Sequence, residues 1–251
     1  MADTQMVQQG QFKPLSVMLS ERLDMESVNG GIPKDFNKAR FVQNALALVN
    51  SNIDYSKYAP EQIISGLLRG AYLGLDFMSK EAYLIPYGPQ LNYQTSYLGE
   101  RKLVKRYSTR KIKDVCARVI REGDVLEEKI VRGEPSFDFT PKPINTGKIV
   151  GAIAWCIYAD GGIQYETMTA GDIETVRRKS KMQNGMAWKD FYGEMCKKTV
   201  LRRLCKQIDI EFENPQQRQI YDEDMAIQDD SKTVRVEQEF EENSIDFVED
   251  A

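Results

Sequence analysis

Ten consecutive residues, Ile149–Tyr158, carry no charge and are apolar at both odd and even positions. An extended chain points successive side chains to opposite faces, so a strand of this kind must be covered on both sides. It belongs in the middle of a sheet. Asp160-Gly161-Gly162 follows at once as a tight-turn signal, and Ile163–Met168 is the returning strand. Upstream, residues 111–123 alternate, with Val115, Ala117 and Val119 on one face and Arg118 on the other. Ala82–Pro86, a turn at Gly88-Pro89 and the alternating Leu91–Tyr97 predict a further hairpin.

Helical periodicity surrounds these strands. Leu15, Val17, Met18, Leu19 and Leu23 suit one short helix, and Phe36, Ala39, Phe41, Val42, Ala45, Leu46 and Val49 recur at three- and four-residue spacing. Pro60 is a good first helical residue, followed by the apolar face Ile63, Ile64, Leu67, Leu68, Ala71 and Tyr72. Gly66, Gly70 and Gly74 repeat every four residues there. A mid-helix glycine costs roughly 0.5–1 kcal/mol relative to alanine, so close approach of another backbone is the expected compensation. A short helix is expected around Leu103 and Val104, with Arg101, Lys102, Lys105 and Arg106 outward. Thr169 and Asp172 form a capping-box pattern with Asp at the third position. One long helix is predicted over about 186–208. Met186, Val200, Leu201, Leu204, Cys205 and Ile208 form its core face, while Trp188, Phe191, Met195, Lys198, Arg202 and Lys206 form an adjoining stripe. The fold class is α+β, an antiparallel sheet with a hairpin packed on helices.

Charge is arranged in blocks. Residues 101–206 hold 23 basic and 13 acidic side chains, while residues 207–251 hold 3 basic and 15 acidic. That pattern predicts a polyanion-binding domain followed by an acidic interaction tail. Three basic segments carry it: Arg101, Lys102, Lys105, Arg106, Arg110, Lys111 and Lys113; Arg177, Arg178, Lys179 and Lys181; and Lys197, Lys198, Arg202, Arg203 and Lys206. Such cations neutralise phosphates without regard to base sequence. Asn92, Tyr93, Gln94, Thr95 and Tyr97 add uncharged donors and stacking rings. Any one basic run is usually just a solvated helix face; three in one region point to nucleic acid. The expected boundaries are an N-terminal arm at 1–34, a core at 35–210 and a largely disordered tail at 211–251.

Much chemistry is excluded. The 251 residues contain no histidine, which removes imidazole catalysis and histidine-ligated metals. No phosphate-binding P-loop or dinucleotide fingerprint is present, since Thr146-Gly147-Lys148 lacks the flanking residues. Asp114, Asp124, Asp160, Asp172 and Glu194 do not form the close sets of a two-metal nuclease. Cys116, Cys156, Cys196 and Cys205 are dispersed and suit buried, reduced thiols. No apolar run reaches the roughly 18 residues of a membrane span, and the polar start MADTQMVQQGQFKP lacks a signal peptide's apolar region. A soluble, intracellular protein that is not an enzyme is expected.

SYLGERKLVKRYSTRKIKDVCARVIREGD, IVGAIAWCIY, GLLRGAYLGLDFMSKEAYLIPYG and above all WKDFYGEMCKKTVLRRLCK resemble the RecT/Red-beta family of phage single-strand annealing proteins. The resemblance spans about residues 35–210; Phe139 departs from it, where many relatives carry histidine. It implies an ATP-independent recombinase akin in fold to eukaryotic single-strand annealing proteins. Such a protein coats single-stranded DNA left by a phage 5′→3′ exonuclease and pairs it with a complementary strand. It forms rings or helical filaments in the cytoplasm of the bacterial host, with the host single-strand-binding protein as a further partner. No cofactor is required, and Mg2+ is an accessory ion for DNA binding or annealing. On this basis one DNA backbone is expected in a groove between the hairpin around Asn92–Tyr97 and the basic helices. The expected contacts are Asn92, Gln94, Thr95, Arg101, Lys102, Lys105, Arg106, Lys111, Arg177, Arg178, Lys198, Arg202 and Lys206. Alternatives are a module that protects single-stranded DNA or RNA without annealing it, and a phage assembly protein. In the tail, Ile245, Phe247 and Val248 are candidate anchors for a partner.

Overall fold

The computed structural model describes residues 13–51, 54–131, 133–180 and 183–225. Two compact units divide between Gln94 and Thr95, where the sequence suggests one core over 35–210. The first holds α1 (Leu15–Val28), α2 (Lys38–Val49), a 3-10 turn (Tyr55–Lys57), α3 (Pro60–Tyr72) and the hairpin of β1 (Ala82–Tyr87) with β2 (Gln90–Thr95). The Asn37 side chain caps α2 by accepting the Arg40 N–H at 2.9 Å. Helix α1 packs on α2 and α3, burying Leu19, Leu23, Phe41, Ala45, Leu67 and Ala71.

The glycine stripe of α3 is explained by side chains rather than by another backbone. A Cβ on Gly70 would lie 2.7 Å from Cε2 of Phe77, and one on Gly66 would strike Leu84. Gly74 lies beyond the helix at φ +65°. There the Leu75 N–H donates to the Gly70 carbonyl at 2.8 Å and the Gly74 N–H to Ala71 at 3.0 Å, the double closure that ends a helix on a left-handed residue.

The second unit holds α4 (Tyr97–Tyr107), β3 (Ile112–Arg121), β4 (Val125–Val131), β5 (Glu134–Thr140), β6 (Ile149–Tyr158), β7 (Ile163–Thr169), α5 (Ala170–Lys179), α6 (Met186–Asp190) and α7 (Tyr192–Cys205). An eighth helix, α8, covers residues 215–225. As its sequence demands, β6 is the central strand of an antiparallel sheet ordered β3-β6-β7. Ala152, Ala154, Cys156 and Tyr158 face the helices and join Val115, Met168, Ile173, Val200, Leu201 and Leu204 in one core. Gly151 admits β7 closely: a Cβ there would meet the Met168 carbonyl oxygen at 2.6 Å. Gly161 turns the β6–β7 hairpin at φ +89°. Thr169 and Asp172 make the reciprocal capping box of α5.

The opposite face of the sheet meets a second hairpin, β4–β5, that sequence patterning does not reveal. Phe137 on β5 lies 5.8 Å from the Trp155 ring and 4.9 Å from the Tyr165 ring, centroid to centroid. The predicted helix over 186–208 is two helices, broken at Phe191 (φ −126°, ψ 39°). The break separates neighbours of one predicted stripe, so that Trp188 is buried while Phe191 is exposed.

The folded chain also continues past residue 210. Asn214 caps α8 by accepting the Gln217 N–H at 2.9 Å, and Pro215 supplies the first helical residue. Gln217, Ile220, Tyr221 and Asp224 are buried. Phe212 lies between Tyr107 and Tyr221, at 4.9 and 5.3 Å. An expected tail beginning at 211 therefore does not describe 211–225; the remainder, with Ile245, Phe247 and Val248, lies outside the described residues, as does Lys181.

Candidate nucleic-acid interface

Helix α4 begins at Ser96, whose Oγ accepts the N–H groups of Leu98 and Gly99 at 3.1 Å each. Leu103 and Val104 anchor it in the interior, which turns Arg101 and Lys105 outward toward β3. There both donate to Asp114 Oδ1, at 3.1 and 3.0 Å. The Asp114 carboxyl also takes the Val115 N–H at 2.8 Å. The Lys105 ammonium, the Cys116 thiol and that N–H hold it well below the ordinary carboxylate range. Arg106 lies over the Tyr107 ring at 5.2 Å. Lys102 is half-buried and Lys111, at the start of β3, is exposed.

Helix α7 packs on α4 and on all three strands of the sheet. With Val200, Leu201, Leu204 and Cys205 buried, the helical period brings Lys198, Arg202 and Lys206 to one adjoining stripe at four-residue spacing. Arg202 reaches Glu100 on α4: its Nε donates to Oε1 at 2.7 Å and its Nη2 meets the same oxygen. Glu100 is completely buried, and its Oε2 has no hydrogen-bond partner among the described residues. Burial pushes the Glu100 carboxyl up to about 7 against the opposing pull of Arg202 and, more weakly, Lys206; Asp224 on α8 adds to the rise. Asp224 accepts the Thr95 N–H at 3.1 Å.

Lys198 stands apart. It is half-buried, and burial, with the Arg202 charge second, lowers its ammonium pKa. Among the described residues no carboxylate lies within 4.0 Å of it. Only the more distant Glu100 charge supports this ammonium, which is withdrawn from water beside a second cation without a direct ion pair.

The remaining predicted contacts divide. Arg177 is committed within the fold, with Nε donating to the Gln183 carbonyl at 2.9 Å, Nη1 to Glu174 at 3.4 Å, and the guanidinium over Trp188 at 5.6 Å. Arg178 next to it is exposed in the last turn of α5, where a cation suits the helix dipole. Thr95 is buried at 1% exposure, so its side chain is not a surface donor. Asn92 and Gln94 are half-buried on β2, in the first unit. Arg101 and Lys105 thus meet at Asp114 between α4 and β3, while Arg202, with Lys198 and Lys206 on its stripe, meets Glu100 between α7 and α4.

Neither Glu100 nor Asp114 is among the contacts expected from the sequence, although Asp114 is one of the acids weighed there for metal binding. The available signal was that Glu100 is the single acidic residue between Gly99 and Lys113. Among the described residues no group of three or more Cys, Asp or Glu side chains could hold a metal ion, and no helix is long and apolar enough to cross a membrane.

The RecT family model matches residues 39–238. The chain belongs to the RecT family. It is 28% identical over 204 residues to Protein RecT of Escherichia coli (strain K12), a match covering 75% of this chain and 72% of that one. It is also 26% identical over 167 residues to the uncharacterized protein YqaK of Bacillus subtilis (strain 168), covering 66% and 57% respectively. The RecT-family match takes in the first unit from residue 39 and all of the second unit through α8.

Proposed function

We propose that this RecT-family chain binds single-stranded DNA by its phosphate backbone and promotes pairing with a complementary strand, without ATP and without covalent catalysis. The observation that carries the reading is Lys198, half-sunk beside Arg202 with no carboxylate within ion-pair distance among the described residues and only the single charge of Glu100 shared among three cations. A phosphate oxygen supplies the missing anion, and Lys206 extends the stripe one turn further. Arg101, Lys102, Lys105, Arg106, Lys111 and Arg178 are assigned to further phosphates as outer contacts. Arg177 and Thr95 are assigned to the fold instead, because their groups are committed or buried. Gripping phosphates rather than base edges accepts any sequence and leaves bases free to pair. Assembly into rings or filaments that hold the duplex intermediate, and cooperation with a 5′→3′ exonuclease and a single-strand-binding protein, follow from the family resemblance.

Pairing of two complementary oligonucleotides, followed by fluorescence without ATP, tests the reading. The protein should accelerate it, and Lys198→Ala with Lys206→Ala should abolish the acceleration. A chain that slows pairing is a strand protector, and one with no effect acts elsewhere; either result overturns the proposal.

A further inference from the structure

We propose that Glu100 is the resident counter-ion of the Lys198–Arg202–Lys206 seat and takes up a proton from solvent when a DNA phosphate occupies that seat. The inference rests on the DNA-binding reading and adds its regulation by pH.

The geometry is unusual for an ion pair. Arg202 hydrogen-bonds one oxygen of Glu100 through Nε, its Nη2 meets the same oxygen without completing a hydrogen bond, and Oε2 is left bare in the interior. A fork-to-fork pair would satisfy both carboxylate oxygens. A buried carboxylate served on one side is held loosely in its charged form, because desolvation opposes the charge while a single cation supports it. Without DNA, the Glu100 charge offsets Arg202 and lies within the fields of Lys198 and Lys206.

A phosphate on Lys198 and Arg202 brings a second anion to the same cations. The supporting field on Glu100 falls and repulsion rises, so the carboxylate binds a proton at Oε2 and becomes a neutral acid. Arg202 keeps its charge and turns its donors to the phosphate oxygen. No bond other than that O–H forms, and the proton comes from water.

The surroundings make the linkage readable. On α4, Arg101 pairs with Asp114 of β3, and Asp114 is held far below neutrality. On α7, burial pushes the Cys205 thiol well up; on β6, the Cys156 thiol is pushed up to about 11. On α8, burial raises the Tyr221 phenol, and Asp224 adds its charge. The chain contains no histidine. Burial lowers the Lys198 ammonium, and Glu100→Gln leaves that side chain in place, so the variant removes the Glu100 contribution alone.

The test measures binding of full-length protein to a fluorescent oligo-dT at constant ionic strength from pH 6.5 to 8.0. With the Glu100 carboxyl starting near 7 and raised one unit by the phosphate, wild-type affinity should fall by about fourfold over this range. Glu100→Gln should be flat and bind at pH 8.0 as tightly as wild type does at pH 6.5. A flat wild type, or an unchanged slope in Glu100→Gln, overturns the linkage. If Glu100→Gln does not fold, titration calorimetry of wild type decides at pH 7.5 in two buffers of different ionisation enthalpy. Uptake of half a proton or more per protomer supports the linkage, and none overturns it. Wild type that binds no oligonucleotide at any pH would overturn the DNA-binding reading itself; pH-independent binding would overturn only the role of Glu100.

Discussion

Tyr221 sits in a stretch whose acidic, aromatic-poor composition suggests an unfolded tail, yet it is 8% exposed. Its ring lies 5.3 Å from Phe212, which in turn lies 4.9 Å from Tyr107 at the end of α4. Tyr221→Ala removes an aromatic ring from a packed site. Large-to-small changes of this size cost about 3–5 kcal/mol when the site cannot collapse. Domains are stable by only about 5–15 kcal/mol, so about a fifth or more of the second unit's stability is at stake. Each 1 kcal/mol shifts the melting temperature by about 2–4 °C in a chain of 150–250 residues, which predicts a fall near 10 °C. Chemical denaturation followed by near-ultraviolet circular dichroism provides the free energy directly. Tyr221→Phe keeps the ring and should cost far less, which separates packing from the hydroxyl. An unchanged denaturation midpoint in Tyr221→Ala would show that α8 adds nothing to the fold, and the packing argument would fail.

Leu204→Ala, at a position with 0% exposure, should cost about 2–5 kcal/mol by the same denaturation assay. Thr169→Ala removes one half of the α5 capping box and should cost about 1 kcal/mol. The pH dependence of stability has a definite sign at Glu100, whose carboxyl is raised by burial from 4.5 to about 7. The folded state therefore holds this proton more tightly than the unfolded chain does. Its contribution is full below about pH 4.5 and is lost as pH rises through 7. Melting temperatures from pH 5 to 8, wild type against Glu100→Gln, should show the decline in the former and lose it in the latter.

The parts of the fold visible in the sequence are those with an unambiguous period. Ile149–Tyr158 announces a central strand because it is apolar on both faces, and Thr169 with Asp172 announces a helix start through its own hydrogen bonds. The β4–β5 hairpin escapes because Val125–Val131 is largely solvated and carries three charges, so its alternation is not that of a half-buried strand. Helix α8 escapes for a different reason. Asn214-Pro215 marks both a chain break and a capped helix start, and only burial of Ile220 and Tyr221 decides between them. At the candidate site, helical spacing brings out the stripe Lys198, Arg202 and Lys206. It cannot show that Glu100, on another helix 102 residues away in sequence, reaches Arg202. Cations form a site through their counter-ions, and those pairings are tertiary.

If Lys198 and Lys206 neutralise DNA phosphates, salt dependence counts them. Affinity for single strands changes with salt at a slope of about −0.7 per phosphate neutralised. The slope of log Kobs against log salt, measured with oligo-dT and with mixed-sequence strands, should be equal for the two. Lys198→Ala with Lys206→Ala, folded by circular dichroism, should make that slope shallower by about 1.4. A slope identical to wild type in the double variant would contradict the account.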